Sequence, residues 1–199
     1  MAKPATRTQS EIDRKRRRRR RRFQIIVIYT LIAVGLAWFF ESQATTTVIF
    51  VRHAEKAALP ADDPALSEAG QRRAAELARQ LVDADVVPGV GVDVVYSTSY
   101  RRTVETAKPV ADALGLQVMM YDAADTESFL ETVVRQYKGK IILVVGHSNT
   151  VPEMIGNMGA SKSVPEIAED EYDNIYLVSI PWFGKTKTIR MRYGEPYIP

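Results

Sequence analysis

Two short apolar runs constrain the fold of this chain most. Residues 48–51 read Val-Ile-Phe-Val, residues 141–145 read Ile-Ile-Leu-Val-Val, and each run is followed two positions later by a histidine, His53 or His147. Such runs are typical of strands buried on both faces of a parallel sheet. If both strands belong to one sheet, both histidines emerge at its carboxyl edge, where open α/β sheets bind ligands. The chain has no other histidine, so this convergence indicates a functional site.

Helical and strand patterns alternate along the chain. Apolar residues recur at helical spacing over residues 67–82, 104–114, 129–137 and 151–158, and further strand patterns cover residues 93–96, 117–120, 174–180 and 186–191. The alternation predicts an α/β fold over residues 48–193, a three-layer α/β/α sandwich with a mostly parallel central sheet. The last two strands are expected to form a hairpin. Residues 159–173, acidic from position 166 onward, are expected to form a mobile flap.

The N-terminal segment is typical of a membrane anchor. Residues 14–22 are nine consecutive basic residues, and the next eighteen, residues 23–40, carry no charge. A helix of that length reaches about 27 Å, enough to cross the hydrocarbon core. We predict a basic cytoplasmic tail over residues 1–22, a transmembrane signal anchor over residues 23–40 and a linker over residues 41–47. The positive-inside rule then places the domain of residues 48–193 outside the cytoplasm of a single-pass cell-membrane protein, in the periplasm of a Gram-negative cell.

Two other interpretations of this segment remain open. Small residues at Ser42 and Ala44 would suit cleavage after Ala44, which would release a secreted protein. The arginine block could also be a nuclear-localisation or nucleic-acid-binding tail. Against nucleic acid, residues 23–199 contain 16 basic and 22 acidic residues, a net charge of −6. A domain with that charge has no general basic face, so we expect no nucleic-acid partner.

A third segment adds arginines to the predicted sheet edge. Residues 96–107 read Tyr-Ser-Thr-Ser-Tyr-Arg-Arg-Thr-Val-Glu-Thr-Ala, beginning at a strand end and continuing into a helix. An arginine there can direct its donors at a phosphate, supported by serine hydroxyls and first-turn amides. The chain contains no cysteine, which excludes thiol nucleophiles and thiolate metal sites. The carboxyl ends of three predicted strands thus carry two histidines, His53 and His147, and two arginines, Arg52 and one from residues 96–107.

These motifs resemble those of the histidine phosphatase superfamily, the phosphoglycerate mutase-like group. The resemblance covers about residues 47–193 and rests on four motifs in the family order: Val51-Arg52-His53-Ala54-Glu55-Lys56, residues 66–74, residues 96–107, and Val145-Gly146-His147-Ser148-Asn149. It implies that His53 is the nucleophile, which forms a phosphohistidine intermediate. It also implies that Arg52, Arg102 and His147 hold the three non-bridging oxygens. Arg101 is the alternative to Arg102, although the spacing from Ser97 favours Arg102.

The general acid has no clear counterpart in this sequence. Asp122 and Asp125, just after the strand that ends near Met120, are the best-placed candidates, and Glu55 is a third. Each carboxylate could instead cap a helix or lie in a solvated loop. The identity of the acid bears on the substrate, because an alkyl phosphomonoester needs a protonated leaving group more than an activated phosphoramidate does.

The function predicted from these features is a membrane-anchored, metal-independent phosphatase that needs no cofactor. A loose phosphoryl transition state needs an in-line nucleophile and matched positive donors, which the two arginines supply. The expected partners are the membrane, through residues 23–40, and a phosphorylated small molecule or envelope phosphate as substrate. The alternatives are a phosphohistidine-protein phosphatase, a phosphoglycerate mutase-like enzyme, and a non-catalytic membrane-tethered phosphate-binding module.

Overall fold

The computed structural model describes residues 9–42, 45–83, 91–160, 164–182 and 184–198. Five helices and six strands lie in these ranges. The helices are α1 (Gln9–Ser42), α2 (Glu68–Asp83), α3 (Arg101–Leu114), α4 (Thr126–Gln136) and α5 (Thr150–Asn157). The strands are β1 (Thr45–Arg52), β2 (Val94–Ser97), β3 (Val118–Met120), β4 (Ile141–Gly146), β5 (Asn174–Pro181) and β6 (Lys187–Arg192).

All six strands form one sheet in the order β3-β2-β4-β1-β5-β6. The first four strands are mutually parallel, and β5 pairs antiparallel with both β1 and β6. The two apolar runs are therefore neighbours: Val48 is in register with Ile142, and Arg52 with Gly146. This pairing confirms the mostly parallel sheet and the terminal hairpin.

Helices cover both faces of the sheet. Leu77 of α2 and Val110 of α3 pack on one face, in a cluster with Val51 and Val145. On the other face, the core formed with α4 and α5 contains these buried residues: Phe50, Leu130, Val133, Val144, Met154 and Ile155. The three-layer α/β/α arrangement is confirmed, and the central strands β1 and β4 are apolar on both sides because both sides are covered.

The acidic half of the predicted flap is held by ion pairs. Asp173 and Glu171 are buried, and Arg192 of β6 lies 2.7 Å from Asp173 Oδ2 and 3.2 Å from Glu171 Oε1. The backbone N–H of Tyr197 also donates to Asp173. Residues 171–173 are therefore anchored to the last strand. Residues 161–163 of the predicted flap lie outside the described ranges.

Helix α1 belongs to a compact unit of its own, Met1–Ser42, separate from Gln43–Pro199. Its stretch Arg14–Phe40 is long and apolar enough to cross a membrane, a property that it shares with signal sequences. The predicted linker, residues 41–47, is too long. Helix α1 continues to Ser42, and β1 begins at Thr45 because β-branched threonines suit the pairing of this segment with β5. Residues 1–8 and the predicted cleavage site at Ala44 lie outside the described ranges.

Candidate active site

The two histidines lie side by side at the carboxyl edge of the sheet. His53 follows β1 and His147 follows β4, and the His53 N–H donates to the Gly146 carbonyl at 2.9 Å, which continues the β1–β4 ladder. The ring centroids are 5.5 Å apart. A Cβ on Gly146 would lie 2.9 Å from the Tyr121 hydroxyl, so a residue without a side chain is needed where β4 turns into the site.

His53 is held in one tautomer. Its Nδ1 lies 2.8 Å from the Ala54 carbonyl oxygen, which can only accept, so Nδ1 carries the proton and Nε2 keeps its lone pair. The residue is buried, and burial, together with the charges of Arg52 and Arg102, lowers its pKa to about 3. At neutral pH the ring is therefore uncharged, with Nε2 able to act as a nucleophile.

His147 is oriented by a pair of threonines. Its Nε2 lies 3.1 Å from the Thr98 hydroxyl, which in turn contacts the Thr103 hydroxyl at 2.8 Å. The His147 N–H donates to the Thr150 hydroxyl at the start of α5. Burial, and then the nearby Arg102 and Arg52 charges, lower the pKa of His147 to about 4. His147 is thus also uncharged at neutral pH, and it can donate one hydrogen bond from its ring.

Arg52 is fixed by the chain segment before β5. Its Nη1 donates to the Ala168 carbonyl at 2.6 Å and to the Glu171 carbonyl at 3.0 Å. Its guanidinium carbon lies 4.3 Å from the centre of the Tyr172 ring. The guanidinium is thereby held in a defined plane, which is what recognition of an oxyanion requires.

Arg102 is supported by an aromatic ring. Its guanidinium carbon lies 4.4 Å from the centre of the Tyr100 ring, and that ring meets His147 edge-on at 5.3 Å. The Nε–H groups of Arg102 and Arg52 are buried and have no acceptor within the described part of the chain. Buried donors are normally satisfied, and an oxyanion between the two arginines would supply their acceptors.

Arg101, the predicted alternative to Arg102, lies outside the cleft. It is exposed, its backbone N–H donates to Asp63, and its side chain lies 3.5 Å from Glu105. The backbone carbonyl of Arg102 accepts a hydrogen bond from the Thr106 hydroxyl. The same hydroxyl accepts a hydrogen bond from the Ala54 N–H. Helix α3 is thus joined directly to the loop that carries His53.

The three candidate general acids have other partners. Asp122 accepts from the Ala124 N–H at 2.9 Å, and Asp125 caps α4 by accepting from the Ser128 N–H. Glu55 forms an ion pair with Arg73 at 2.8 Å. None of the three carboxylates lines the cleft at the histidines. The prediction that one of them is the acid therefore has no support from the geometry.

The cleft itself has a volume of about 670 Å³. It is lined by Arg52, His53, Lys56, Tyr100, Arg102, Ala123, Ala124, His147, Ser148, Asn149, Thr150, Ile167 and Glu169. Three residues of the site, Tyr100, Tyr172 and Glu169, are not predicted from the sequence. Tyr100 lies within the arginine motif and could have been noticed there, whereas Tyr172 and Glu169 reach the site only through long-range folding. Among the described residues, no group of three or more His, Asp or Glu side chains could hold a metal ion.

A comparison with protein families agrees with the first three of the four motifs. The sequence profile of the Histidine phosphatase superfamily (branch 1) matches residues 48–125, which include the first three motifs. No curated protein matches the chain in sequence.

Solved structures share the fold. The protein histidine phosphatase SixA, complexed with tungstate, aligns with a TM-score of 0.59 and 18% identity over 73% of this chain and 96% of that chain. Mycobacterial glucosyl-3-phosphoglycerate phosphatase Rv2419c aligns with a TM-score of 0.57 and 12% identity over 75% of this chain and 98% of that chain. Mycobacterial hydrolase 2 aligns with a TM-score of 0.60 and 12% identity over 78% of this chain and 94% of that chain. At these identities the likeness establishes the fold alone.

The family assignment rests on the sequence profile together with this fold. The profile covers the Arg52-His53 motif and Arg102, and the fold brings His147, which lies beyond the profile, to the same sheet edge. The profile match over residues 48–125, together with this fold, supports the histidine phosphatase superfamily for this chain and phosphatase as its enzyme class.

Proposed function

We propose that this protein is a membrane-anchored, metal-independent phosphatase that hydrolyses a phosphomonoester through a phosphohistidine on His53. The observation that carries the proposal is the cleft in which His53 lies 5.5 Å from His147, ring centre to ring centre, between two arginines with buried, unsatisfied Nε–H donors. A nucleophile next to such donors suits attack on a phosphate ester more than any other common reaction.

The first step is phosphoryl transfer to His53. The Nε2 lone pair attacks phosphorus in line with the ester bond, and the Nδ1–H donated to the Ala54 carbonyl stabilises the imidazolium that develops. Arg52, Arg102 and His147 are proposed to bind the three non-bridging oxygens. The two fixed guanidinium groups supply the positive charge that a metal ion supplies in other phosphatases. Water then attacks the phosphohistidine and releases inorganic phosphate.

The N-terminal helix supports the membrane part of the proposal. Nine basic residues precede an uncharged stretch within α1, so the proposed orientation keeps residues 14–22 in the cytoplasm and exports the domain. The proposed substrate is then an envelope phosphate or another exported phosphorylated small molecule. Mutase activity fits this compartment poorly, because phosphoglycerates of glycolysis are cytoplasmic.

A second candidate is a phosphohistidine-protein phosphatase, favoured by the fold that the chain shares with SixA. Such a substrate carries a good leaving group and needs little acid assistance. The two candidates separate when the full chain in detergent is offered a phosphohistidine-bearing protein and the phosphomonoester p-nitrophenyl phosphate in parallel. The leading proposal requires turnover of the phosphomonoester.

The covalent intermediate is the direct test. The full chain in detergent would be mixed with a ³²P-labelled phosphomonoester, quenched in alkali, and assayed for protein-bound label that acid removes. We expect such label in the wild type and none in His53→Ala. Acid-labile label that persists in His53→Ala would reject His53 as the nucleophile.

A further inference from the structure

The cleft contains one carboxylate, and the mechanism so far gives it no task. Glu169 lines the cleft together with His53, Arg102 and His147, and no other Asp or Glu of the described chain does so. We propose that Glu169 is the general acid that protonates the leaving oxygen of the substrate. This assignment rests on the proposed phosphatase function and adds an alkyl phosphomonoester as the substrate class, because such an ester needs the proton.

The carboxylates of the other acidic candidates are already bonded to other groups of the protein. Asp122 and Asp125 accept from backbone N–H groups around the start of α4, and Glu55 is paired with Arg73 at 2.8 Å. Moving any of them to the phosphate would break a cap or an ion pair. Glu169 is exposed, and neither a hydrogen bond nor an ion pair to its carboxylate occurs within the described ranges. Its carboxylate is therefore available to a substrate.

The position of Glu169 is set by the arginine that binds phosphate. Arg52 Nη1 donates to the carbonyl of Ala168, just before Glu169, and to the carbonyl of Glu171, two residues after it. The Glu171 carboxylate also accepts from the Ala168 N–H at 3.2 Å, which closes the turn. A turn bonded on both sides of residue 169 to Arg52 keeps that residue beside the phosphate-binding groups.

Ring contacts and ion pairs prevent this turn from moving away. Tyr172 packs on the Arg52 guanidinium at 4.3 Å, and its ring centre lies 6.0 Å from that of His53. Arg192 of β6 holds Glu171 from the outside at 3.2 Å. Glu169 thus has the two properties a general acid needs, proximity to the reacting groups and a fixed backbone, while its side chain remains free to reach the leaving group.

Glu169 acts first as an acid and then as a base. The P–O bond of the ester breaks as the P–Nε2 bond of His53 forms, and the Glu169 carboxyl proton passes to the departing oxygen, which leaves as an alcohol. In the second step the Glu169 carboxylate takes a proton from the attacking water. The P–N bond then breaks, its electron pair returns to Nε2, and inorganic phosphate leaves.

The experiment compares two leaving groups on the full chain in detergent. Glu169→Gln would be assayed with p-nitrophenyl phosphate, whose leaving group departs without a proton, and with glycerol 2-phosphate, an alkyl ester. We expect kcat/KM for the alkyl ester to fall on the order of 10²-fold and kcat/KM for the aryl ester to change less than about threefold. Phosphoenzyme should also accumulate on the aryl ester, because the base for water attack is missing.

The matched control is Asp170→Asn, which removes the adjacent carboxylate of the same turn without altering the lining of the cleft. It should leave both rates near wild type. Glu169→Asp, which keeps a shorter carboxylate, should recover part of the alkyl-ester activity. Circular dichroism of each variant checks that the fold is intact.

The outcomes separate this assignment from the proposed function. Equal losses on both esters would reject an acid role for Glu169 and leave it a positioning residue, and an unchanged alkyl-ester rate would reject any role. A wild type that hydrolyses neither ester and takes up no label would instead reject the phosphatase proposal on which the assignment rests.

Discussion

At the scale of single residues, the protonation state of His53 decides whether the site can react. The Ala54 carbonyl holds the proton on Nδ1 at 2.8 Å, and burial next to two arginines disfavours the imidazolium. Both effects leave a lone pair on Nε2. A histidine on the protein surface would have neither a fixed tautomer nor a lowered pKa.

The pH dependence of the reaction follows from this environment. The pKa of His53 is lowered to about 3 and that of His147 to about 4, so both rings stay neutral as the pH falls through the usual histidine range near 6.5. After correction for ionisation of the substrate, kcat/KM for p-nitrophenyl phosphate, whose leaving group needs no proton, should be flat from about pH 7 to pH 5 and should fall only below about pH 4, as His53 Nε2 becomes protonated. A fall centred near pH 6.5 would contradict the buried, neutral His53.

The two neighbouring arginines should differ sharply in function. Arg102→Ala removes a fixed positive donor from the cleft, and turnover should fall on the order of 10²–10³-fold. Arg101→Ala is the matched control, since Arg101 is exposed and only 3.5 Å from Glu105 in a surface pair, which contributes little. Steady-state kinetics of both variants decides the assignment, and the reverse order of effects would move the role to Arg101.

At the scale of elements, helix α2 packs on the loop that carries the nucleophile. A Cβ on Gly70 would lie 2.1 Å from the Glu55 carbonyl oxygen, two residues after His53. Arg73, one turn later, holds both the Glu55 carboxylate and the Tyr193 carbonyl. The start of α2 therefore fixes the backbone of the His53 loop at Glu55.

Substituting Gly70 should lower stability. Gly70→Ala forces α2 and the Glu55 backbone apart, and overpacking of this kind costs about 1–3 kcal/mol in the free energy of unfolding. Gly156→Ala is the matched control: a Cβ there meets no atom within 4 Å, and alanine in a helix should add up to about 1 kcal/mol of stability. Urea unfolding followed by near-ultraviolet circular dichroism measures the free energy of unfolding of both variants. A neutral Gly70→Ala would show that the close contact does not constrain the loop.

The elements also show what the sequence could predict. Buried strands are unusually apolar, so the sequence predicts β1 and β4. It thereby also predicts that both histidines lie at the carboxyl edge of the sheet. Arg102 followed from its place just after β2. The segment before β5 is predicted to be a mobile flap because its contacts are not local. Arg52 donates a hydrogen bond to the carbonyl of Ala168, which lies 116 residues later in the sequence. No periodicity marks such a contact, so Glu169 and Tyr172 could not be assigned to the site from sequence.

At the scale of the whole molecule, the proposed membrane anchor would decide which phosphates the enzyme meets. A C-terminal β-lactamase fusion should confer ampicillin resistance on the host, because in the proposed topology the basic block at residues 14–22 stays in the cytoplasm and the domain is exported. The control fusion replaces residues 14–22 by asparagine and should lose this orientation. A fusion of the unaltered chain that gives no resistance, although it is expressed, would contradict the proposed topology.

The central claim is that His53 catalyses phosphoester hydrolysis without a metal ion. Its most direct test is hydrolysis of p-nitrophenyl phosphate by the full chain in detergent, with and without EDTA, beside the His53→Ala variant. The account predicts turnover that EDTA does not change and that disappears with His53. Turnover that survives in His53→Ala, or that EDTA abolishes and added metal restores, would contradict it.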